Sequence, residues 1–296
     1  MICPVCEAKI GDGFEALSKH IESMAGDSDP GHVMWLNRNL SKEKLGDRDL
    51  ETKLSEFYDL TGLGIANWIR KRFIEKFFSS PPHPFILEMQ NPSRYTIMGY
   101  VTEHYHFLRQ WVKSCAFIIA NSDVDEIQRY EMNNISEEYF GSGKDPPHVE
   151  LLLRMGESVG LPRESVISSS PLPKTREAVN FWNRICRDNH WLIGMASMHS
   201  LELIADRNIR NYGASYTYFD PRILDGSVTE ETSQFLRAGY DADVYHSSEA
   251  LRLVEKYADQ LDMQRYVQSY FIISSEKFSQ YLEARLERGR MYEKEL

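Results

Sequence analysis

The 296-residue chain is 42% hydrophobic, enough for a large core, and its 44 acidic against 34 basic residues give a formal charge of −10. That balance argues against nucleic-acid binding through bulk electrostatics, because phosphate neutralisation needs a concentrated basic surface. No stretch approaches the roughly 20 apolar residues of a membrane helix, the first residues lack the regions of a signal peptide, and four cysteines make no disulfide framework in a chain of this size. A cytoplasmic protein without a membrane partner is expected.

Residues 1 to about 40 are short of long periodic segments and read as an appendage. Cys3-x2-Cys6, followed by Phe14, Leu17, His20 and His32, reproduces the order of a two-cysteine, two-histidine zinc site with its intervening aromatic and leucine. Eleven residues separate His20 from His32, where about three to five is usual, so His32 departs from the pattern. An unmetallated C-x-x-C pair and a redox pair are the other readings of these thiols. The run after Phe14, EALSKHIESM, offers one lysine, which favours a structural role or docking of a protein partner over DNA reading.

Beyond residue 50 the apolar spacing is helical throughout, and the fold class is all-α. Helices are expected over 50–79, stopped by Ser79-Ser80-Pro81-Pro82, and over 93–121, which is nearly buried all round. Further helices are expected over 123–139, ending at a glycine and proline turn, from His148 towards Gly160, from Thr175 through Leu203, over 229–258 and over 263–288. No alternating strands, internal repeats or low-complexity segments occur.

Carboxylates and histidines recur in or beside these helices: Glu137-Glu138, His148, Glu202, and Asp243-x2-His246, the last two sharing a helical face. Carboxylates and imidazoles are the ligands of hard iron or manganese ions, and helical bundles project such ligands inward from several helices. Taken singly, each residue reads first as part of a solvated face or a satisfied polar group, and their combination in an all-α chain is what points to a site. Glu103, His104 and His106 lie together on the nearly buried helix, where they either line a cavity as acid–base groups or form a buried polar network. Cys115 and Cys186 fall in apolar helical surroundings, where an inert buried thiol is the default.

The stretch Asn134-Ile135-Ser136-Glu137-Glu138-Tyr139-Phe140-Gly141, followed by His148-Val149-Glu150-Leu151-Leu152-Leu153-Arg154-Met155-Gly156-Glu157, resembles the haem-oxygenase-like superfamily that includes the TenA and PqqC proteins, and specifically its diiron oxidase branch. The resemblance covers roughly residues 50–290 and implies a haem-oxygenase-like helical bundle over 50–296. It implies Glu138 and His148 as the first iron ligands, Glu202 as that of a later helix, and Asp243 and His246 as the end of a histidine-x3-aspartate-x2-histidine motif. Gly239 stands where that motif begins with histidine; Tyr240, Asp241 and His199 are the neighbours able to compensate. The implied activity is a non-haem iron oxidoreductase acting on dioxygen and a small organic substrate, with one or two irons. The alternatives are a metal-free oxidase like PqqC, and a non-catalytic zinc-finger interaction protein. TenA-type hydrolysis with a cysteine nucleophile ranks below oxidation, because neither Cys115 nor Cys186 lies in a matching motif. The size and fold admit a homodimer.

Overall fold

The computed structural model describes residues 1–40, 47–141 and 146–295, with backbone alone at 47, 48 and 241–245. The described residues are helical and contain no strand; a single antiparallel bridge joins Ile2 to Lys9. The first two helices, α1 (Phe14–Gly26) and α2 (Pro30–Asn39), belong to the cysteine-containing segment. The body follows as α3 (Asp47–Phe57), α4 (Gly64–Phe77), α5 (Pro84–Glu88), α6 (Arg94–Ala120), α7 (Asp125–Phe140), α8 (His148–Ser158), α9 (Arg163–Ile167), α10 (Pro173–Asp188), α11 (Trp191–His199), α12 (Glu230–Gln260) and α13 (Gln264–Glu295).

Local chemistry sets these boundaries. Ser93 caps α6 by accepting from the Thr96 N–H at 3.0 Å, and Thr229 caps α12 from Thr232 at 3.2 Å, each satisfying an otherwise orphaned donor. Prolines open α2, α5 and α10, where the missing N–H costs nothing. Two helices expected as continuous are broken. Residues 50–79 divide at 58–63, with Gly62 and Gly64 at positive φ, and 175–203 divides at Asn189-His190, the His190 ring accepting from the Leu192 N–H at 3.2 Å to start α11. Apolar periodicity runs through both breaks, so the pattern alone conceals them.

The long helices α6 and α13 meet at Gly99 and Gly289. A Cβ on Gly99 would lie 2.2 Å from the Arg285 carbonyl oxygen and 2.5 Å from the Gly289 nitrogen, so the two backbones touch there as only glycine permits. The aromatic core includes Trp68, Phe73, Phe77, Trp182, Phe271 and Tyr281, all buried. The cysteine-containing segment is packed on the body rather than loosely appended. Leu17, Ile21 and Trp35 are buried within the same apolar core, the Phe14 ring lies 5.8 Å from that of Tyr58, and Arg184 donates to Glu7 at 2.7 Å.

Candidate functional site

Two groups of donors stand out, the first at the N-terminus. The turn after Ile2 brings up Cys3 and Cys6, α1 carries His20, and α2 returns His32 to the same point. Cys3 Sγ lies 3.4 Å from His32 Nε2, Cys6 Sγ lies 3.3 Å from His20 Nε2, and one donor atom from each residue falls within 4.8 Å of the others. A tetrahedral zinc with bonds of about 2.3 Å to sulfur and 2.0 Å to nitrogen would hold S and N about 3.5 Å apart, so the spacing fits that ion. The eleven-residue separation of the histidines is absorbed by the end of α1 and the turn into α2. Asp29 caps α2 and also accepts from His32 Nδ1 at 2.6 Å; this fixes the tautomer that leaves Nε2 free as a ligand. Burial pushes the Cys3 thiol up to about 12, so a thiolate there depends on a cation.

The second group surrounds a cavity of about 100 Å³ in the helical body. Tyr100, His104, Phe107 and Trp111 of α6 form one wall, Phe278 and Arg285 of α13 another, and Phe235 and Gly239 of α12 a third. Glu138 from the end of α7, His148 from the start of α8, and Glu202 from the 3-10 turn after α11 supply its acid–base groups. Glu138 Oε1 lies 2.8 Å from His148 Nδ1. Glu202 is buried and its Oε2 has no hydrogen-bond partner.

Glu138, His148 and Glu202 are thus brought to one cavity. His246 is not on its wall: its Nε2 pairs with Glu137 at 2.9 Å, and its carbonyl accepts from the Tyr130 hydroxyl at 3.1 Å. The Asp243 and Asp241 side chains lie outside the described residues. Gly239 does line the cavity, and a Cβ there would meet nothing within 4 Å. Among the described residues, three donors within 4.8 Å of one another occur only in the N-terminal group and at Cys115, Glu131 and His199, so neither a pair of irons nor a single one finds three preassembled ligands in the cavity. The unpartnered carboxylate oxygen of Glu202 and the Glu138–His148 pair line the same cavity and are donors of the kind a hard cation takes, which an ion would have to draw together.

His199 occupies the centre of the adjoining core. Its Nε2 lies 2.8 Å from Glu131 Oε1 and its Nδ1 lies 3.2 Å from Glu202 Oε1. Burial pushes the imidazole down, but the two carboxylates more than offset this and raise it to about 10. The imidazolium is therefore the cation of this triad. Burial drives the neighbouring Cys115 thiol well above its ordinary value and Cys186 likewise, which leaves both as neutral core groups.

The three polar residues of α6 separate. His104 faces the cavity, and Arg285 Nη2 donates to its Nδ1 at 2.9 Å; since arginine only donates, the ring proton rests on Nε2. Burial, with Arg285 and His148 nearby, holds its pKa well below the ordinary histidine value. Glu103 and His106, expected either to line a cavity or to form a buried polar network, are not among the residues that line this one. Glu103 accepts from Arg288 at 2.7 Å and from the Leu172 N–H at 3.1 Å, while His106 Nε2 lies 3.0 Å from the Ser169 hydroxyl. Their face of α6 turns one step away from that of His104 and anchors the segment before α10.

Glu131, Tyr130 and Arg285 escaped the sequence reading. Glu131 lies seven residues before Glu138, on the same helical face. Arg285 interrupts an apolar row formed by Phe278, Tyr281 and Leu282, and a charge at a core register was the available signal.

Residues 68–288 match the TENA/THI-4/PQQC family, and residues 1–59 match the C2H2 type zinc-finger family in one copy. Pyrroloquinoline-quinone synthase of Pseudomonas aeruginosa (strain LESB58) is 31% identical over 156 residues, which are 48% of this chain and 62% of the relative. The chain spans 44% to 62% of the length of the curated relatives it matches. Among solved structures, a TenA homologue from P. horikoshii OT3 superposes with TM-score 0.58 at 12% identity, over 76% of this chain and 95% of that one. A domain of unknown function with a heme oxygenase-like fold from Shewanella denitrificans OS217 gives 0.54 at 18% identity, over 85% and 95%. The helical architecture and the match over most of its length make this chain a member of the TENA/THI-4/PQQC family, with a heme oxygenase-like fold preceded by a C2H2-type segment.

Proposed function

We propose that the chain is an oxidoreductase that uses dioxygen to oxidise a small organic substrate in the α6–α12–α13 cavity, with a single non-haem iron held by Glu138, His148 and Glu202. The observation that carries this reading is the buried, unpartnered Oε2 of Glu202 on the same cavity wall as the Glu138–His148 pair. A desolvated carboxylate oxygen without a donor costs about 1–3 kcal/mol or more, and a cation removes that cost. Iron in such a site supplies the one-electron chemistry that dioxygen requires. The kinship with pyrroloquinoline-quinone synthase supports oxidation over hydrolysis, and burial keeps the Cys115 and Cys186 thiols neutral, which makes both poor nucleophiles.

The remaining roles belong to the chain's own groups. Phe107, Trp111, Phe235 and Phe278 exclude water from the cavity, which strengthens every electrostatic interaction inside it. His104, neutral and protonated on Nε2, is a hydrogen-bond donor towards substrate. His199 orients Glu202 by engaging Oε1, leaving Oε2 for the ion. The two cysteines and two histidines at the N-terminus are assigned a structural zinc. Anaerobic reconstitution with ferrous iron, followed by elemental analysis, is the test: one zinc and one iron per chain are expected, with Glu138→Ala and His148→Ala losing iron and keeping zinc. Zinc alone after reconstitution would reject the iron assignment, and oxygen uptake by that zinc-only protein would assign a metal-free oxidase.

A further inference from the structure

Arg285 brings to the cavity a positive charge that no carboxylate contacts. It projects from α13 with 2% exposure, and every polar partner of its guanidinium is neutral. Nη1 donates to the Tyr218 hydroxyl at 2.7 Å, and Nη2 donates to the Tyr281 hydroxyl at 2.5 Å and to His104 Nδ1 at 2.9 Å. Nε is buried without a partner. The guanidinium carbon stacks 4.1 Å from the centre of the Tyr100 ring. Three residues along the same helix, Arg288 shows the usual solution, with Glu103 at 2.7 Å. Phenols and an aromatic face offset part of the desolvation of a cation, but they supply no counter-ion in contact with the guanidinium, and a buried ion without one is costly.

We propose that the cavity takes an organic acid, with the substrate carboxylate paired to Arg285 and its planar apolar body against Phe107, Trp111 and Phe235. This rests on the reading of the cavity as the substrate site, and it names the substrate class. A guanidinium matches a carboxylate in geometry as well as charge. Glu138 and Glu202 also line the cavity, out of contact with Arg285; carboxylates repel an anion and the guanidinium attracts it, so the charged end of the substrate is directed to Arg285.

The experiment is calorimetric titration of the as-purified protein, without added iron, with benzoate and with benzamide, which share shape and differ in charge. Benzoate is expected to bind at least tenfold tighter than benzamide, and Arg285→Met to bring the two to parity. Equal binding by the wild-type protein, no benzoate binding at millimolar concentration, or a preference that survives in Arg285→Met overturns the proposal. Should Arg285→Met fail to fold by circular dichroism, Arg285→Lys decides. It keeps the charge and loses the fork, so benzoate should weaken at least threefold with benzamide unchanged, and unchanged benzoate affinity overturns the proposal. Binding needs neither iron nor oxygen, so benzoate selectivity without oxygen uptake rejects the oxidoreductase alone, and oxygen uptake without selectivity rejects this proposal alone.

Discussion

His199 Nε2 lies 2.8 Å from Glu131 Oε1, with both side chains fully buried, and this pair joins the core of α7 to the turn that carries Glu202. Replacing one member of a buried ion pair leaves the other charge unpaired at a cost of about 3–5 kcal/mol. His199→Ala should lose stability of that order by denaturant titration, because it strands two carboxylates. A loss below about 1 kcal/mol would mean that the triad is not charged in the folded protein.

The same triad sets a pH dependence. The folded-state pKa of His199 is about 10, raised from 6.5, so its contribution is fully present below about pH 6.5 and is lost as pH rises through 10. Thermal melts between pH 7 and 10.5 should therefore fall more steeply for the wild-type protein than for His199→Gln. Parallel curves for the two proteins would remove the imidazolium from the account.

The helical class, the helix starts near 93 and 229, and the cysteine–histidine order were legible in the sequence, because apolar period and ligand order are local properties. Two things were not. The breaks at 58–63 and 189–190 keep the apolar rhythm running through them, and His32 looked out of register because spacing rules count residues along the chain while a turn between two helices shortens the path in space. The site was legible only in part for the same reason. Glu138, His148 and Glu202 reach one cavity through tertiary packing, whereas Glu103 and His106, which share a helical face with each other, look away from it. Arg285 reads as one more basic residue in a charged C-terminal helix until Gly99 and Gly289 bring α6 against its backbone.

That close approach gives a further prediction. A methyl group at position 99 would lie 2.2 Å from the Arg285 carbonyl, and backbone cannot yield as a flexible side chain does. Gly99→Ala should cost about 3 kcal/mol, at the upper end for overpacking, and should displace the backbone that carries Arg285. Denaturant unfolding checks the first effect and the benzoate–benzamide ratio the second; a variant as stable as the wild type would show that the helices separate easily.

In the N-terminal site, Asp29 accepts from His32 Nδ1 at 2.6 Å and from the His32 N–H at 3.0 Å. Asn remains a good helix cap but removes the charge that orients the ring. Asp29→Asn should weaken zinc binding about 10- to 100-fold with little change in helix content, measured by competition against a chromophoric chelator. A change under threefold would leave the carboxylate no part in the site.

Gly239 tests the number of irons. It lines the cavity on α12, four residues before Asp243, and a Cβ there meets nothing within 4 Å. The resemblance to the diiron oxidase branch implies histidine at this position, and Gly239→His would add an imidazole where the wall is open. If one missing ligand is what limits the site to a single ion, the variant should take up a second iron per chain on anaerobic reconstitution, read by elemental analysis. Any residue other than glycine also stiffens the helix, worth about 0.5–1 kcal/mol for alanine, so Gly239→Ala is the control: it should melt higher and bind no additional iron. A single iron in Gly239→His would trace the limit instead to His246, which Glu137 already engages at 2.9 Å.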